Sequence, residues 1–483
     1  MIFERFEEKG LSQYSYAVGC KAAGAVAIVD PRRDVDIYLD YARATGVRIA
    51  YVLETHIHAD FASGARELAA RAGARLLLSR YDEGEFYEVK FAHFDIGEGE
   101  PVDIGSARMV ARHTPGHTPE HLSFLVYDGN RTTDAPMLML SGDFVFVGSL
   151  GRPDLLGEEA KRGLASRLYD SVQKLADLPD GLEIHPAHGS GSMCGAGMSD
   201  RPMTTLGFER VANPYLQRGL DREAFVEKIL GSVPPFPPYY RRMKTLNSEG
   251  QPRLNGLPGL QPLDAGRFCT MAEHGHVVID LRDQLAFGGG HIPRSFGIGA
   301  GADLSTWAAW VVPYDVSILL VDEDGSHIEG AVRSLVRVGL DRVAGHLGGG
   351  MKAWSDAGYP ETHTPQLSPR ELNDKIRHGE RLRIIDVRSD GEWAAGHIDG
   401  AEHIMGGFLA DRVNDLRGSD PIVVVCAAGY RSTVAASVLE RAGIAPVFSL
   451  TGGLGAWTHA GLPLTSPAAR TAPPPPAAAE SRA

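Results

Sequence analysis

The segment THIHAD, residues 55–60, places three side chains that can bind a metal two residues apart. His56, His58 and Asp60 follow an apolar run at 49–53, which predicts a buried strand. On extended backbone, residues i, i+2 and i+4 point to the same side. We therefore expect the three side chains to come together at the carboxyl end of a strand, where they can converge on a metal ion.

Three later segments carry further candidate ligands at the ends of predicted strands. They contain His117 in the turn TPGHT, Asp143 in the motif SGD and His188 in the motif HPAHG. A single histidine or aspartate in a turn is more often structural. Four such segments in this order, each at a predicted strand end, favour one shared metal site.

The motifs HxHxD, GHT and SGD resemble those of the metallo-β-lactamase superfamily and, within it, the persulfide dioxygenases. The resemblance implies one mononuclear Fe(II) per chain, held by His56, His117 and Asp143. Two histidines and one carboxylate form a facial triad that leaves positions open on non-haem iron for O₂ and substrate. Members with two metals commonly have a histidine directly after HxHxD. Here that residue is Phe61, which favours one metal.

The same resemblance implies roles for residues around the ligands. His58, Asp60 and His188 would orient the ligands and polarise bound species. Arg152 lies in the segment GSLGRPD, which resembles the G-x-GR-x-D stretch of the family. Its planar guanidinium would either anchor a substrate carboxylate or phosphate, or form a structural ion pair with Asp154.

The chain has four cysteines, too few for a disulfide framework in 483 residues. Cys194 lies in a glycine-rich loop six residues after His188. It would either bind sulfane sulfur near the mouth of the metal site or be an inert loop thiol.

The second candidate site is the loop CAAGYRS, residues 426–432, between an apolar strand and a predicted helix. A thiolate of Cys426 would face backbone N–H groups and the positive end of the helix, which lower its pKa and favour a persulfide. The C-x-x-G-x-R-S spacing resembles the active loop of rhodanese sulfurtransferases. The resemblance implies Cys426 and Arg431 as catalytic groups, with Gly429 and Ser432 in the substrate-binding loop.

The region from 261 to about 465 contains two copies of one pattern. The motifs ID-x-R, GHI and GG-x-x-AW recur there at offsets of 103 to 106 residues, which indicates tandem domains. In the first copy Asp322 stands where Cys426 stands in the second. Because an aspartate cannot carry sulfane sulfur, we expect the first copy to be inactive as a sulfurtransferase and to have a structural or docking role.

These observations predict a multi-domain α/β protein, with an N-terminal αββα metallo-β-lactamase fold and two tandem rhodanese-like α/β domains. The predicted boundaries are 1–245 for the metal domain, 246–260 for a linker, 261–364 for the degenerate rhodanese domain, 365–466 for the rhodanese domain with Cys426, and 467–483 for a disordered tail.

The bulk composition excludes several classes of protein. A net charge of −13 argues against a nucleic-acid or anionic-membrane partner, since both favour a basic surface. The sequence contains no apolar run of the roughly 18 residues that a transmembrane helix needs, and no signal peptide is visible. We expect a cytoplasmic homo-oligomer whose partners are small molecules: a persulfide, O₂, thiosulfate and sulfite.

The two resemblances together imply oxidation of a low-molecular-weight persulfide, of glutathione or coenzyme A, to sulfite and thiol. Cys426 would move sulfane sulfur between thiosulfate and persulfide, in a direction that the sequence leaves open. One alternative is a dinuclear zinc thioesterase of the glyoxalase II type, against which Phe61 and the Cys426 domain argue. The other is a sensing module with an inert metal domain.

Overall fold

The computed structural model describes residues 1–217 and 219–466, which form two compact units. The first unit contains Met1–Pro258 with the segments Gly301–Ala309 and Val332–Asp341. The second contains Gly259–Ala300, Trp310–Ala331 and the described chain from Arg342 onward. The predicted disordered tail, 467–483, lies outside the described residues.

The main part of the first unit alternates strands with a smaller number of helices. Its strands are β1 (Ile2–Glu8), β2 (Gln13–Cys20), β3 (Ala25–Val29), β4 (Arg48–Leu53), β5 (Arg75–Ser79), β6 (Phe94–Ile96), β7 (Pro101–Ile104), β8 (Ala107–His113), β9 (Leu122–Asp128), β10 (Leu138–Gly142), β11 (Val145–Phe146), β12 (Ser149–Leu150), β13 (Glu183–Pro186) and β14 (Thr204–Thr205). Its helices are α1 (Asp36–Thr45), α2 (Ala65–Ala72), α3 (Glu158–Gln173), α4 (Leu206–Ala212), α5 (Arg222–Leu230) and α6 (Tyr239–Glu249).

Two six-stranded sheets form the centre of the first unit. One has the order β1-β2-β3-β4-β5-β6 and the other the order β14-β13-β10-β9-β8-β7. Val18 and Phe124 belong to the apolar core between the sheets. Leu68 of α2 belongs to the core on the outer face of the first sheet, and Leu168 of α3 to that on the outer face of the second. This is the predicted αββα arrangement.

The chain after residue 258 forms two copies of a parallel sheet with helices. The strands are β15 (Pro262–Leu263), β16 (Val277–Asp280), β17 (Phe296–Gly297), β18 (Ile318–Val321), β19 (Val343–Leu347), β20 (Gln366–Leu367), β21 (Arg383–Asp386), β22 (Glu402–His403), β23 (Ile422–Val425) and β24 (Val447–Leu450). The helices are α7 (Ala265–Glu273), α8 (Gln284–Gly289), α9 (Leu304–Val311), α10 (Ile328–Val336), α11 (Gly350–Asp356), α12 (Pro369–Arg377), α13 (Asp390–Ala395), α14 (Leu409–Arg412), α15 (Tyr430–Arg441) and α16 (Gly453–His459).

The two parallel sheets share one topology. Their orders are β15-β19-β18-β16-β17 and β20-β24-β23-β21-β22, so every strand of the first has a counterpart five places later in the second. Strands β16 and β18 pair in parallel, as do β21 and β23. The tandem repeat predicted from the motif offsets is therefore present in the fold, and the predicted fold class is confirmed.

The units do not follow the predicted boundaries throughout. The predicted linker 246–260 begins inside α6, whose Asn247 is buried. Within the first unit, the guanidinium of Arg337 pairs with Asp34 at 2.7 Å and with Glu8 at 2.9 Å. These ion pairs are largely buried, so they attach the segment around Arg337 to the first unit although its sequence continues the first rhodanese-like copy.

Within residues 1–217 and 219–466, no helix combines the length and the apolar character needed to cross a membrane.

Candidate functional site

Three loops of the first unit bring the predicted ligands together. His56 follows β4, His117 lies between β8 and β9, and Asp143 directly follows β10. Gly142 makes the last turn possible: its φ is +54°, and an added Cβ would lie 2.6 Å from His121 Nε2. The fold thus places ligands from distant parts of the sequence at one end of the two sheets.

The ligand atoms of His56, His117 and Asp143 lie within 4.8 Å of one another, and all three residues are buried. Asp143 Oδ2 is 3.3 Å from His117 Nε2 and 3.8 Å from His56 Nε2. In the part of the chain that the structure describes, none of these three atoms has a hydrogen-bond partner. Buried polar atoms are rarely left unpaired, so this donor set fits a metal ion.

The opposite side of each ligand is held by the protein. Thr55 Oγ1 lies 2.9 Å from His56 Nδ1, and the carbonyl oxygen of Arg152 lies 2.9 Å from His117 Nδ1. Such contacts fix the orientation of the ring and leave Nε2 for the metal. His188 Nδ1 contacts Asp143 Oδ1 at 2.7 Å, which leaves Oδ2 directed at the two histidines.

The protonation states suit metal binding. Burial lowers the pKa of His117 to about 4 and, together with the nearby His58, lowers that of His56 well below its usual range. Burial alone would raise the pKa of Asp143, but His188 and His117 lower it well below its ordinary value. Neutral imidazoles and an ionised carboxylate are the forms that bind metals.

The three residues predicted to orient the ligands lie beside the triad. His58 Nε2 contacts Asp30 Oδ1 at 3.1 Å, and His188 Nε2 lies 2.7 Å from Asp60 Oδ2. Phe61 is buried with its ring 4.3 Å from that of His58, so it occupies space beside the site without offering a ligand atom.

Cys194 also belongs to this region. Its sulfur and one ligand atom each of Asp60 and His188 lie within 4.8 Å of one another, and all three residues are buried. Burial, with the charge of Asp60, raises the pKa of the Cys194 thiol well above its usual value. Cys194 therefore lies beside the proposed metal site. Its raised pKa keeps the thiol protonated near neutral pH.

Arg152 is a structural residue by its contacts. It is buried, and its Nε and Nη2 atoms donate to the two carboxylate oxygens of Asp154 at 2.7 and 2.8 Å. Nη1 donates to the carbonyl oxygen of Met193 at 3.0 Å, and Nη2 also donates to that of Pro234 at 2.9 Å. Of the two predicted roles for Arg152, these contacts support the structural ion pair with Asp154 and not the substrate anchor.

The sequence reasoning missed two residues of the site. His121 Nε2 accepts the backbone N–H of Asp143 at 3.0 Å, and its ring stacks on that of His56 with centroids 5.1 Å apart. Asp30 accepts the backbone N–H of Thr55 at 2.7 Å in addition to contacting His58. A signal for Asp30 existed, because it is a charged residue at the end of the apolar strand β3.

The sulfur-transfer loop lies in the second unit, between β23 and α15. Cys426 is 1 % exposed, and its sulfur accepts the backbone N–H of Gly429 at 3.0 Å and lies 3.6 Å from Ser432 Oγ. Gly429 has a φ of +109° at the start of α15, a conformation that favours glycine. The loop thus directs an N–H group at the sulfur, which stabilises negative charge there.

Arg431 is the second residue of α15, and its guanidinium is paired with a carboxylate. Its Nη1 and Nη2 atoms each donate to a carboxylate oxygen of Glu392 at 2.7 Å. This hydrogen bonding to Arg431 lowers the pKa of Glu392 to about 2. The pair holds the arginine beside the loop, because a bidentate contact fixes both position and plane.

In the first repeat, Asp322 follows β18 as Cys426 follows β23. Its carboxylate accepts the backbone N–H of His327 at 2.9 Å and contacts His327 Nδ1 at 3.0 Å. A carboxylate therefore occupies the place of the sulfur. A cavity of about 830 Å³ adjoins this loop, and its lining includes Gln284, His327 and Tyr430.

Family models match most of the chain. The metallo-β-lactamase superfamily model matches residues 9–188, and the rhodanese-like domain model matches residues 267–357 and 368–460. A solved metallo-β-lactamase of Staphylococcus aureus subsp. aureus COL is 32% identical, with a TM-score of 0.65, and the match covers 71% of this chain and 98% of that chain. The chain belongs to the metallo-β-lactamase superfamily.

Two curated relatives of the metallo-β-lactamase domain carry different names. The mitochondrial persulfide dioxygenase ETHE1 of Mus musculus is 27% identical over 234 residues, which cover 47% of this chain and 79% of the relative. A hydroxyacylglutathione hydrolase of Anaeromyxobacter dehalogenans is 30% identical over 243 residues, which cover 45% of this chain and 86% of the relative. The predicted organisation is confirmed: a metallo-β-lactamase domain with persulfide dioxygenase homologues precedes two rhodanese-like domains. The protein is an enzyme of the metallo-hydrolase family.

Proposed function

We propose that this metallo-β-lactamase superfamily member is a mononuclear Fe(II) persulfide dioxygenase fused to a sulfurtransferase. The observation that carries the proposal is the buried triad of His56, His117 and Asp143, whose three inward atoms lack protein partners within the described residues. Iron bound there would supply open coordination positions for O₂ and the sulfur substrate. A low-molecular-weight persulfide of glutathione or coenzyme A would be oxidised to sulfite and the thiol.

The residues around the triad support this proposal in two ways: they orient Asp143, and they leave out a further histidine ligand. His188 contacts one carboxylate oxygen of Asp143, which leaves the other directed at the ligand histidines, and His121 accepts the backbone N–H of Asp143. Phe61 places an apolar ring where related dinuclear enzymes commonly have another histidine. This arrangement favours one metal.

In the second unit, Cys426 would carry the sulfane sulfur. Its thiolate attacks the outer sulfur of thiosulfate, the sulfur–sulfur bond breaks, sulfite leaves with the bonding pair, and Cys426 retains a persulfide. The N–H group of Gly429 stabilises the anionic sulfur before and after transfer. Attack by an acceptor thiolate on the persulfide regenerates Cys426 and forms a new low-molecular-weight persulfide, the substrate proposed for the iron site. The transfer can also run in reverse, from persulfide and sulfite to thiosulfate.

A second candidate is a dinuclear zinc thioesterase, which two observations favour. The hydroxyacylglutathione hydrolase relative is 30% identical, and Asp60, His188 and Cys194 form a further buried group of metal-binding side chains. Phe61 and the fused Cys426 loop argue against this candidate.

The deciding experiment uses the full chain loaded anaerobically with Fe(II) and supplied with fresh glutathione persulfide. O₂ uptake matched by sulfite formation would support the dioxygenase. The same protein loaded with zinc is supplied with an acylated glutathione. Thioester cleavage with two zinc ions bound per chain, together with no O₂ uptake by the iron form, would contradict the dioxygenase and support the hydrolase.

A further inference from the structure

The loop between β4 and α2, residues 54–64, carries His56, has no regular secondary structure and is buried along its length. Backbone N–H and C=O groups that cannot reach water need partners within the protein. Neighbouring strands supply some of them: Asp30 accepts from Thr55, and Leu122 donates to the carbonyl oxygen of Thr55. In the second half of the loop, Ala62 and Gly64 donate to the carbonyl oxygens of Arg337 and Pro31. Three further partners come from α6, nearly 190 residues away along the sequence.

Asn247 on α6 contacts this half of the loop with both ends of its side-chain amide. Its Nδ2 donates to the carbonyl oxygens of His58 and Phe61, each at 2.8 Å. Its Oδ1 accepts the backbone N–H of Ser63 at 2.9 Å. One buried side chain therefore satisfies three backbone groups on both sides of Asp60.

The orientation of this amide is determined by its surroundings. Gln251 Nε2 also donates to Asn247 Oδ1, at 2.9 Å, so two donors meet the oxygen and two carbonyl oxygens meet the nitrogen. A flipped amide would place its nitrogen against two donors and its oxygen against two carbonyl oxygens. The contact is thus specific for an amide in one orientation.

Lys244, one turn earlier on α6, holds the first half of the loop. Its Nζ donates to the carbonyl oxygen of Ile57 at 3.0 Å, and Glu120 Oε1 lies 4.0 Å from it. Glu120 accepts the backbone N–H of Ile57 at 2.9 Å, so both backbone polar groups of Ile57 have a charged partner. Both Lys244 and Glu120 are buried.

We propose that α6 sets the backbone position of the metal-ligand loop, with Asn247 as the main positioning residue and Lys244 as its companion. Helix α6 lies outside residues 9–188, which match the superfamily model, so none of the motifs HxHxD, GHT and SGD includes it. The inference rests on the proposed metal centre, because it states that α6 fixes the position of the loop that carries the ligand His56.

The test compares Asn247→Asp with the wild-type full chain. The aspartate keeps the shape and the acceptor for Ser63, but it turns a carboxylate oxygen towards the carbonyl oxygens of His58 and Phe61. We expect Fe(II) affinity, measured anaerobically by competition with a ferrous chelator, to fall about 10- to 100-fold, the range found when contacts that orient ligands are lost. We also expect the visible absorption bands of the Co(II)-loaded protein to shift.

Ser248→Ala is the matched control. Ser248 is buried on the same helix, and its hydroxyl donates within α6 to the carbonyl oxygen of Thr245. This variant should keep the wild-type metal affinity and Co(II) spectrum. A merely structural role of Asn247 would lower the unfolding temperature but leave the affinity and the spectrum of Asn247→Asp unchanged, and that result would overturn the proposal.

Asn247→Ala removes the amide without adding a charge and carries the same test if Asn247→Asp does not fold. Unchanged affinity in Asn247→Ala would overturn the proposal. Because Fe(II) affinity is measured without turnover, this test can fail or succeed independently of the test of dioxygenase activity. Wild-type protein that binds Fe(II) but consumes no O₂ would contradict the dioxygenase alone.

Discussion

At the scale of single residues, the proposed metal centre is organised by pairs in which one residue orients the other. His188 holds one oxygen of Asp143 and so leaves the second for a metal, and His121 accepts the backbone N–H of the same residue. Neither histidine is among the three expected ligands. The triad therefore depends on residues that contribute position rather than a metal bond.

Asp143→Ala tests the assignment of the triad. Removal of the only charged member should strip the iron and stop O₂ uptake, while thiosulfate sulfurtransfer by Cys426 continues. The metal content of the purified protein and both activities are the measurements. Iron retained at the wild-type level would show that the triad is misassigned. The exposed Asp95→Ala should behave as wild type in all three.

Glu54, the first residue of the metal-ligand loop, should make the stability of the folded protein depend on pH. Burial raises the pKa of this carboxyl from its ordinary value of 4.5 to about 7. Between these values the folded state binds more protons than the unfolded state, so stability falls as pH rises. A shift of this size corresponds to about 3 kcal/mol, fully present below pH 4.5 and lost as pH rises through 7.

The measurement is the unfolding midpoint of the metal-free protein at intervals between pH 5 and pH 8. We expect the wild-type midpoint to decrease over this range and the decrease to be much smaller in Glu54→Gln, which cannot titrate. Equal pH dependence in both proteins would show that Glu54 is already ionised in the folded state.

At the scale of elements, each site lies where a strand ends and the chain turns. Cys426 follows β23, and the turn to α15 depends on the left-handed conformation of Gly429. In the first repeat Asp322 follows the corresponding strand β18, and its carboxylate accepts the backbone N–H of His327, the residue before α10. The same element geometry thus places the proposed catalytic thiol after one strand and, after the other, a carboxylate whose partners are in its own loop.

Gly429→Ala should impair sulfurtransfer through this geometry. A Cβ there would meet Gln284 Oε1 at 2.5 Å, and a φ of +109° is strained for alanine. Relief of the strain would move the N–H group that contacts the sulfur. Loss of a hydrogen bond to a charged group corresponds to about 1.5–3 kcal/mol, so we expect a roughly 10- to 100-fold lower rate.

Gly443→Ala, at the other end of α15, is the control for the effect of backbone strain on stability alone. Gly443 has a φ of +77°, and an added Cβ would meet nothing within 4 Å. This variant should lose about 1–2 kcal/mol of stability to the left-handed conformation and keep its sulfurtransfer rate. If both variants lose activity equally, the effect belongs to stability and not to the loop.

At the scale of the whole molecule, the two candidate sites belong to separate compact units with separate cores. The proposed metal triad and the Cys426 loop have no residue in common. The two activities should therefore be separable by single substitutions.

Cys426→Ser should abolish thiosulfate sulfurtransfer and leave persulfide-dependent O₂ uptake largely intact. Both are measured on the full chain. Cys269→Ser is the control, because Cys269 is a buried thiol on α7 in the first repeat. It should retain both activities. Loss of both activities in Cys426→Ser would refute independent sites.

The sequence by itself determined the local features of this protein. Alternating and continuous apolar runs place HxHxD, SGD and CxxGxRS after strands, because the periodicity of side chains and the need to bury them act over a few residues. The motif offsets predicted the tandem repeat for the same reason, since each copy repeats one local pattern. Phe61 and Asp322 were visible as departures from the motifs without any structure.

Only the tertiary structure decided which polar groups, distant in the sequence, become hydrogen-bond or ion-pair partners. The predicted linker begins at residue 246, yet that residue lies inside α6, whose Asn247 holds the loop at 58–63. Arg152 could have faced a substrate, and the fold instead surrounds it with Asp154 and backbone carbonyl oxygens. Such pairings follow from the burial of polar groups, which must find partners wherever the folded chain brings them. That requirement has no fixed spacing along a sequence.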